Sequence, residues 1–175
     1  INTSLSDRLK VGLSATVSTD VQNVMANAPY ANALNYSPLI LPYDANGNVI
    51  AYPNPREGNL VNPLLNFEPN QYVDERRKYR VFATLFGEYR IIDGLTYRLN
   101  YGPDLSFYRQ GTYTGTLAGG TSTASIENRQ NFAYTLENLL TFDRKFGSHA
   151  LNVVGLFSTQ SNRFESSTAS GQNIP

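Results

Sequence analysis

The sequence predicts an all-β chain: a fragment of an antiparallel transmembrane β-barrel with about five long strands, short periplasmic turns and long extracellular loops. Three observations carry this reading. Long stretches alternate apolar and polar residues with period two, and the connections between them alternate short and long. Three of the stretches also hold aromatic pairs ten positions apart on the apolar side: Tyr79/Tyr89, Tyr97/Phe107 and Phe132/Phe142. Ten strand residues rise about 33 Å at ~3.3 Å per residue. Tilted by about 40°, that length projects to about 25 Å, the height of the apolar band between the aromatic girdles of an outer-membrane barrel.

The elements follow in order. Arg8–Ser18 puts Leu9, Val11, Leu13, Ala15 and Val17 on one face and Lys10, Gly12, Ser14, Thr16 and Ser18 on the other. That is the pattern of a strand with one apolar side. Tyr79–Ile91 sets Val81, Ala83, Leu85, Gly87 and Tyr89 against Arg80, Thr84, Glu88 and Arg90, with Phe82 and Phe86 interrupting the polar face. Leu95–Phe107 sets Leu95, Tyr97, Leu99, Tyr101 and Leu105 against Thr96, Arg98, Asn100, Asp104 and Ser106. From Asn131 to Phe142 the apolar parity is even, through Phe132, Tyr134, Leu136 and Leu140, and Asn138 is the exception. His149–Ser161 alternates least well, with Leu151, Val153, Gly155 and Phe157 outward. Strands of 11 to 13 residues are about twice the usual soluble length. The faces point Leu9, Leu85, Leu99, Leu140 and Val153 to lipid, and Lys10, Arg98, Asn100 and Glu137 to the lumen.

The first hairpin tests its own register. A two-residue Asp93-Gly94 turn would put Tyr89 and Tyr97 on opposite faces. A three-residue loop, Ile92–Gly94, matches the parities and places Gly94 where a G1-bulge hairpin needs positive φ. It sets Tyr89 across from Tyr97, Tyr79 across from Phe107, and Glu88 across from Arg98 as an opposite-charge lumen pair. The second hairpin is expected to close through Asp143–Ser148, pairing Leu140 with Leu151. Extracellular loops are expected at 19–78, 108–129 and 163–175, the last two being polar. All 175 residues are assigned to one barrel domain, with no plug domain among them.

Within the first loop, Val21, Val24, Met25, Ala28, Ala31 and Leu34 recur at helical spacing around Pro29, which predicts short helical turns. Ser37–Tyr43 reads as an extended apolar run, followed by a tight turn at Asp44–Asn48. The Asp44/Asn46/Asn48 spacing is that of a calcium loop, but the sixth-position glycine and twelfth-position glutamate are missing, so it reads as a hairpin turn. Glu75–Lys78 reads as a solvated rim. Gly115, Gly119 and Gly120 open no helix and do not form a phosphate cradle. His149, the single histidine, reads as a turn residue, and Glu88 with Glu137 read as lumen charges rather than an acid–base pair. The loop tyrosines Tyr43, Tyr52, Tyr72, Tyr108 and Tyr113, with Arg98 in the lumen, are the candidate cargo contacts. Tyr30 and Tyr36 are further loop tyrosines able to stack on sugar rings or peptide side chains.

Composition removes other classes. The 14 basic and 14 acidic residues cancel, so no nucleic-acid partner is implied. Cysteine is absent, which removes disulfides, thiolate nucleophiles and cysteine metal sites. No catalytic, metal or cofactor motif is present, and the chain does not read as an enzyme. No run of 18 apolar residues occurs, so no helix of the chain is expected to span a bilayer. No basic-then-apolar leader opens the sequence, and both ends read as cut from a longer polypeptide.

The order of the motifs resembles a known family. Ser37-Pro38 with Leu41–Gly47, Asn62-Pro63, Glu88–Tyr97, Tyr134–Phe142 and His149–Val153 together are similar to SusC/RagA-type TonB-linked outer-membrane proteins. The resemblance implies a large plugged barrel in the outer membrane, with the plug, the TonB box and the later strands outside this sequence. It implies TonB-driven import of glycans or peptides with a SusD-like surface lipoprotein as lid, and no catalytic residue. Two other readings compete: a secreted or surface-held carbohydrate-binding or adhesive β-sandwich, and a non-transporting barrel such as a porin or secretion component. A sandwich folds its sheet back into a second layer; a barrel piece leaves Arg8–Ser18 and His149–Ser161 as open edges.

Overall fold

A computed structural model describes residues 1–25, 34–54, 56, 60–116 and 120–174. Six strands form one sheet in chain order: β1 (Asn2–Ser4), β2 (Leu9–Asn23), β3 (Tyr72–Ile92), β4 (Leu95–Thr114), β5 (Thr123–Phe146) and β6 (His149–Gln172). The strands are antiparallel and every neighbour in the sheet is a neighbour in sequence. Among the described residues this single sheet is never covered by a second one, which is the outcome that separates a barrel piece from a sandwich.

One strand was not expected. Asn2–Ser4 pairs with β2 in the register Asn2↔Gly12, Thr3↔Val11, Ser4↔Lys10, so β2 is not an edge. Three residues carry too little alternation to be read as a strand. The others run past their expected spans: β2 to Asn23, β3 from Tyr72, β4 to Thr114, β5 from Thr123 and β6 to Gln172. Much of the expected loops is therefore strand. The extensions, such as Thr112-Tyr113-Thr114 and Ser166-Ser167-Thr168, are rich in β-forming or hydroxyl residues but have no apolar face. Backbone pairing needs none where neither lipid nor a core must be met. Val21 belongs to β2, which removes the helical reading at that end of the loop; the expected turns around Pro29, and Tyr30, lie outside the described residues.

The turns follow the glycines. Gly94 has φ +86°, the left-handed conformation expected of it; β3 reaches Ile92 and β4 begins at Leu95, so Asp93-Gly94 alone lie between the strands where the loop Ile92–Gly94 was expected. The second hairpin is tighter than expected, because β5 reaches Phe146 and β6 begins at His149. Only Gly147-Ser148 remain, and Gly147 at φ +60° fits the first central position of a type II′ turn. This shifts the pairing: a β-carbon built on Gly155 would lie 4.0 Å from the Leu140 carbonyl oxygen, so Gly155, not Leu151, is opposite Leu140. The slip is an even number of residues, so no side chain changes face.

The chain divides into two compact units. The first is Ile1–Thr19, Lys78–Phe107 and Arg129–Glu165; the second is Asp20–Arg77, Tyr108–Asn128 and Ser166–Pro175. In the second, a small loop core forms around Asn62, which is 3% exposed. Its amide donates to the carbonyls of Pro42 (3.0 Å) and Ile50 (2.9 Å). Its side-chain oxygen caps the 3₁₀ turn Pro63–Phe67 by accepting from Leu64 N. Leu65 of that turn, 3% exposed, is the one buried apolar residue among those described. Ser37–Ile40 closes as a turn through Ile40 N–H to the Ser37 carbonyl rather than running extended.

Candidate functional site

The first unit presents a wall with two chemically different faces. On the odd-numbered side of β2, β3 and β4, Leu13, Val17, Leu85 and Tyr89 are exposed, as are Leu140 of β5 and Val153 and Phe157 of β6. Of the aromatic-girdle residues, Tyr79, Tyr89, Phe107 and Phe132 are exposed, while Tyr97 and Phe142 are half-buried. Leu99 is also half-buried and not covered. An uncovered apolar face of this extent is costly in water and is what lipid requires. Along it, Tyr101 packs on Tyr134 at 5.8 Å between ring centroids, and Tyr134 on Phe132 at 5.9 Å.

The opposite face carries a charge ladder across four strands. Lys10 lies 3.9 Å and Arg98 3.5 Å from the Glu88 carboxylate. Arg98 Nε donates to Asn100 (2.9 Å), and Asn100 donates to Glu137 (3.1 Å). Arg80 forks onto Asp104. These contacts test the parity: Glu88 and Arg98 meet only if an even-numbered residue of β3 faces an even-numbered one of β4, so the expected parity holds although only Asp93-Gly94 lie between the two strands. Asn100 with Glu137 and Tyr97 with Asn138 likewise confirm the parity change on β5. Glu88 is engaged by two cations and Glu137 by an amide. Phe86, which interrupts this polar face, fills a gap. A β-carbon at Gly12 would overlap its ring, and the Arg98 guanidinium stacks 4.2 Å above that ring.

The second unit holds the loop tyrosines, which are not gathered in one place. Tyr43 and Tyr52 are about half exposed; Tyr43 bridges to Val49 across the Asp44 turn. Asp44 accepts from the Asn46 and Asn48 backbone amides (2.8 and 2.9 Å) and from the Asn48 side chain (3.0 Å). The Asn48 side-chain bond foremost, with those amides, holds the carboxyl below its usual range. Both oxygens serve the turn, so the spacing that suggested calcium is explained by hairpin geometry. Tyr36 donates to the Val61 carbonyl, and burial raises its phenol.

A better-built cluster joins β3 and β4. The Asp74 side chain, 6% exposed, accepts from Arg76 through Nε (3.1 Å) and a terminal nitrogen (2.8 Å) and from Gln110 (2.8 Å). The Arg76 hydrogen bonds hold Asp74 below the usual carboxylate range, against the opposing effect of burial. Tyr108 donates to Gln110 at 2.9 Å, and burial raises the Tyr72 phenol. Tyr72 and Tyr108 thus share a parity with Asp74 and Arg76. Tyr113 is on the other parity, beside Arg109 and Glu75. The sequence reading missed Asp74, Arg76 and Gln110; carrying the parity of Arg80 and Glu88 back along the strand would have separated Arg76 from its charged neighbours.

Comparison with known proteins bears out the type. No protein-family profile matches the chain. TonB-dependent receptor P3 of Formosa agariphila is 26% identical over 99% of the chain, which spans 18% of that receptor's length. Among solved structures, a chain of the RagAB peptide transporter superposes with a TM-score of 0.74 at 13% identity, covering 99% of this chain and 21% of that one. The RagAB peptide importer in its closed-closed state gives 0.72 at 12% identity, over 99% and 20%. The likeness to SusC/RagA-type TonB-linked barrels is therefore met in sequence by a TonB-dependent receptor and in fold by the RagAB chains.

Proposed function

We propose that this chain is a wall segment of a TonB-dependent outer-membrane importer of oligomeric nutrients. The observation that carries it is the single uncovered sheet. Its apolar side is exposed from Leu13 to Phe157, its polar side is tied by a charge ladder, and Leu65 is the lone buried apolar side chain described. A water-soluble module would have to cover that side. The P3 receptor supports the TonB-linked assignment. The similar RagAB structure is that of a peptide importer, which favours peptides over glycans as cargo. By the same likeness the intact protein works with a SusD-like lipoprotein lid and takes its energy through TonB. Arg98, Tyr72 and Tyr108 are the candidate cargo contacts on the inner parity; Tyr43 and Tyr52 are loop candidates. The segment contributes wall, not chemistry.

The intact protein should leave membranes only with detergent and should migrate faster before boiling than after. Cells carrying it should take up oligopeptides, and uptake should stop when the proton-motive force is collapsed. Extraction without detergent would overturn the wall; uptake insensitive to the proton-motive force would overturn TonB coupling and favour a porin.

A further inference from the structure

Phe82 and Phe86 interrupt the polar face of β3, and the fold accounts for only one of them. Phe86 is half-buried, set in the gap at Gly12 and capped by the Arg98 guanidinium. Phe82 is 45% exposed. A single register across β2 and β3 brings the Arg90 N–H to the Arg8 carbonyl, Lys10 to Glu88 and Gly12 to Phe86. Continued along the strands, it sets Thr16 opposite Phe82 and Ser18 opposite Arg80. These four residues line a groove of about 260 Å³, and all four belong to the first unit.

The chemistry of the groove narrows its occupant. Arg80 and Asp104 compensate each other through their forked pair, so the groove offers a ligand no free charge. What it does offer is one aromatic face and the hydroxyls of Thr16 and Ser18, both exposed. A sugar ring carries hydroxyls around its whole edge, and each one desolvated without a partner is costly. An apolar side chain makes no such demand and gains from contact with the ring. The volume is below that of sites for whole small molecules, about 300–1,000 Å³, and suits one side chain of a longer cargo. Phe82 is also three residues from Tyr79, the girdle aromatic of β3 nearer the long connections. On the wall reading, that puts the groove at the outer end of the inner face, where cargo enters.

We propose that Phe82 is a specificity-determining contact of the importer. Its ring, with Thr16 and Ser18 beside it, takes an apolar side chain of an oligopeptide cargo. The inference rests on the import reading of the previous subsection and deepens it, because it says which peptides are favoured.

The test offers cells carrying the intact protein two fluorescent heptapeptides of equal length and net charge. One has leucine and phenylalanine at alternate positions, and the other has serine there. Wild-type cells should take up the apolar peptide in preference. Phe82→Ala should lower the ratio of the two uptakes about two- to tenfold, the size of one aromatic contact, and Phe82→Trp should restore it. Equal uptake of the two peptides by the wild type, or an unchanged ratio in Phe82→Ala, overturns this inference alone. No uptake of either peptide by the wild type overturns the import reading itself. Maltohexaose serves as a competitor: inhibition that disappears in Phe82→Ala would give the ring to a sugar and overturn the inference. Heat-modifiable migration is measured on every variant. Its loss in Phe82→Ala with an unchanged ratio would make the ring a packing residue of the intact barrel, which also overturns the inference.

Discussion

The Tyr97 hydroxyl donates to the side-chain oxygen of Asn138 at 2.6 Å, joining β4 to β5 on the apolar face. Asn138 is the polar exception on the apolar parity between Phe132 and Phe142, and Tyr97 is one of the girdle aromatics. An amide facing lipid without a partner would cost several kcal/mol. The phenol accounts for the exception, and the amide gives the girdle ring a fixed orientation.

This pairing predicts strong coupling. Tyr97→Phe and Asn138→Leu should each destabilise the folded protein in vesicles by about 1 kcal/mol, and the double variant by no more than either single one, since removing both partners can be nearly neutral. Denaturant unfolding into vesicles reads the cycle. Additive losses would show that the bond contributes nothing.

Neighbouring residues on one strand should behave oppositely. Leu85 and Thr84 lie near the middle of the Tyr79–Tyr89 interval but on different faces. Leu85→Arg should cost about 2–4 kcal/mol, as a cation does at the midplane of a barrel's lipid face. Thr84→Arg should stay within about 0.5 kcal/mol. Equal effects in the same unfolding experiment would contradict the face assignment.

The glycine gap beneath Phe86 gives a third prediction. Gly12→Ala pushes a methyl into the ring and into the Asn2 side chain, and should cost about 1–3 kcal/mol by overpacking. Phe86→Ala in the same chain should recover part of that loss. A Gly12→Ala variant as stable as the wild type would mean that the ring moves freely.

Asp74 predicts a dependence on pH. Its carboxyl is depressed in the folded protein chiefly by the Arg76 hydrogen bonds. Its contribution is therefore present above the unfolded value of about 3.9 and is lost as pH falls through the lower folded value. At neutral pH, Asp74→Asn should increase proteolytic cleavage of the 108–128 segment in the intact protein. The difference from wild type should shrink below about pH 4, where the unfolded carboxyl is protonated. A difference that persists unchanged at low pH would remove the carboxylate from the explanation.

The sequence by itself determined the wall. Side chains alternate with period two, and a face left uncovered forces that period into the composition, so the faces of β2 to β5 and the parity change on β5 were legible, as was the Glu88–Arg98 pairing; on β6, Val154 and Leu156 are exposed as well as Val153 and Phe157, and no face is singled out. The tertiary structure decided what alternation does not encode. Whether Asn138 is an error or a partner depends on Tyr97, 41 positions away, and Phe86 is explained by a glycine on another strand. β1 and the strand extensions, including the segment that carries Asp74, are held by backbone bonds that leave no apolar signature. The second turn escaped for a related reason: a slip of four residues preserves every face, so hydrophobic pattern cannot detect it, and only the backbone at Gly147 fixes where the chain turns.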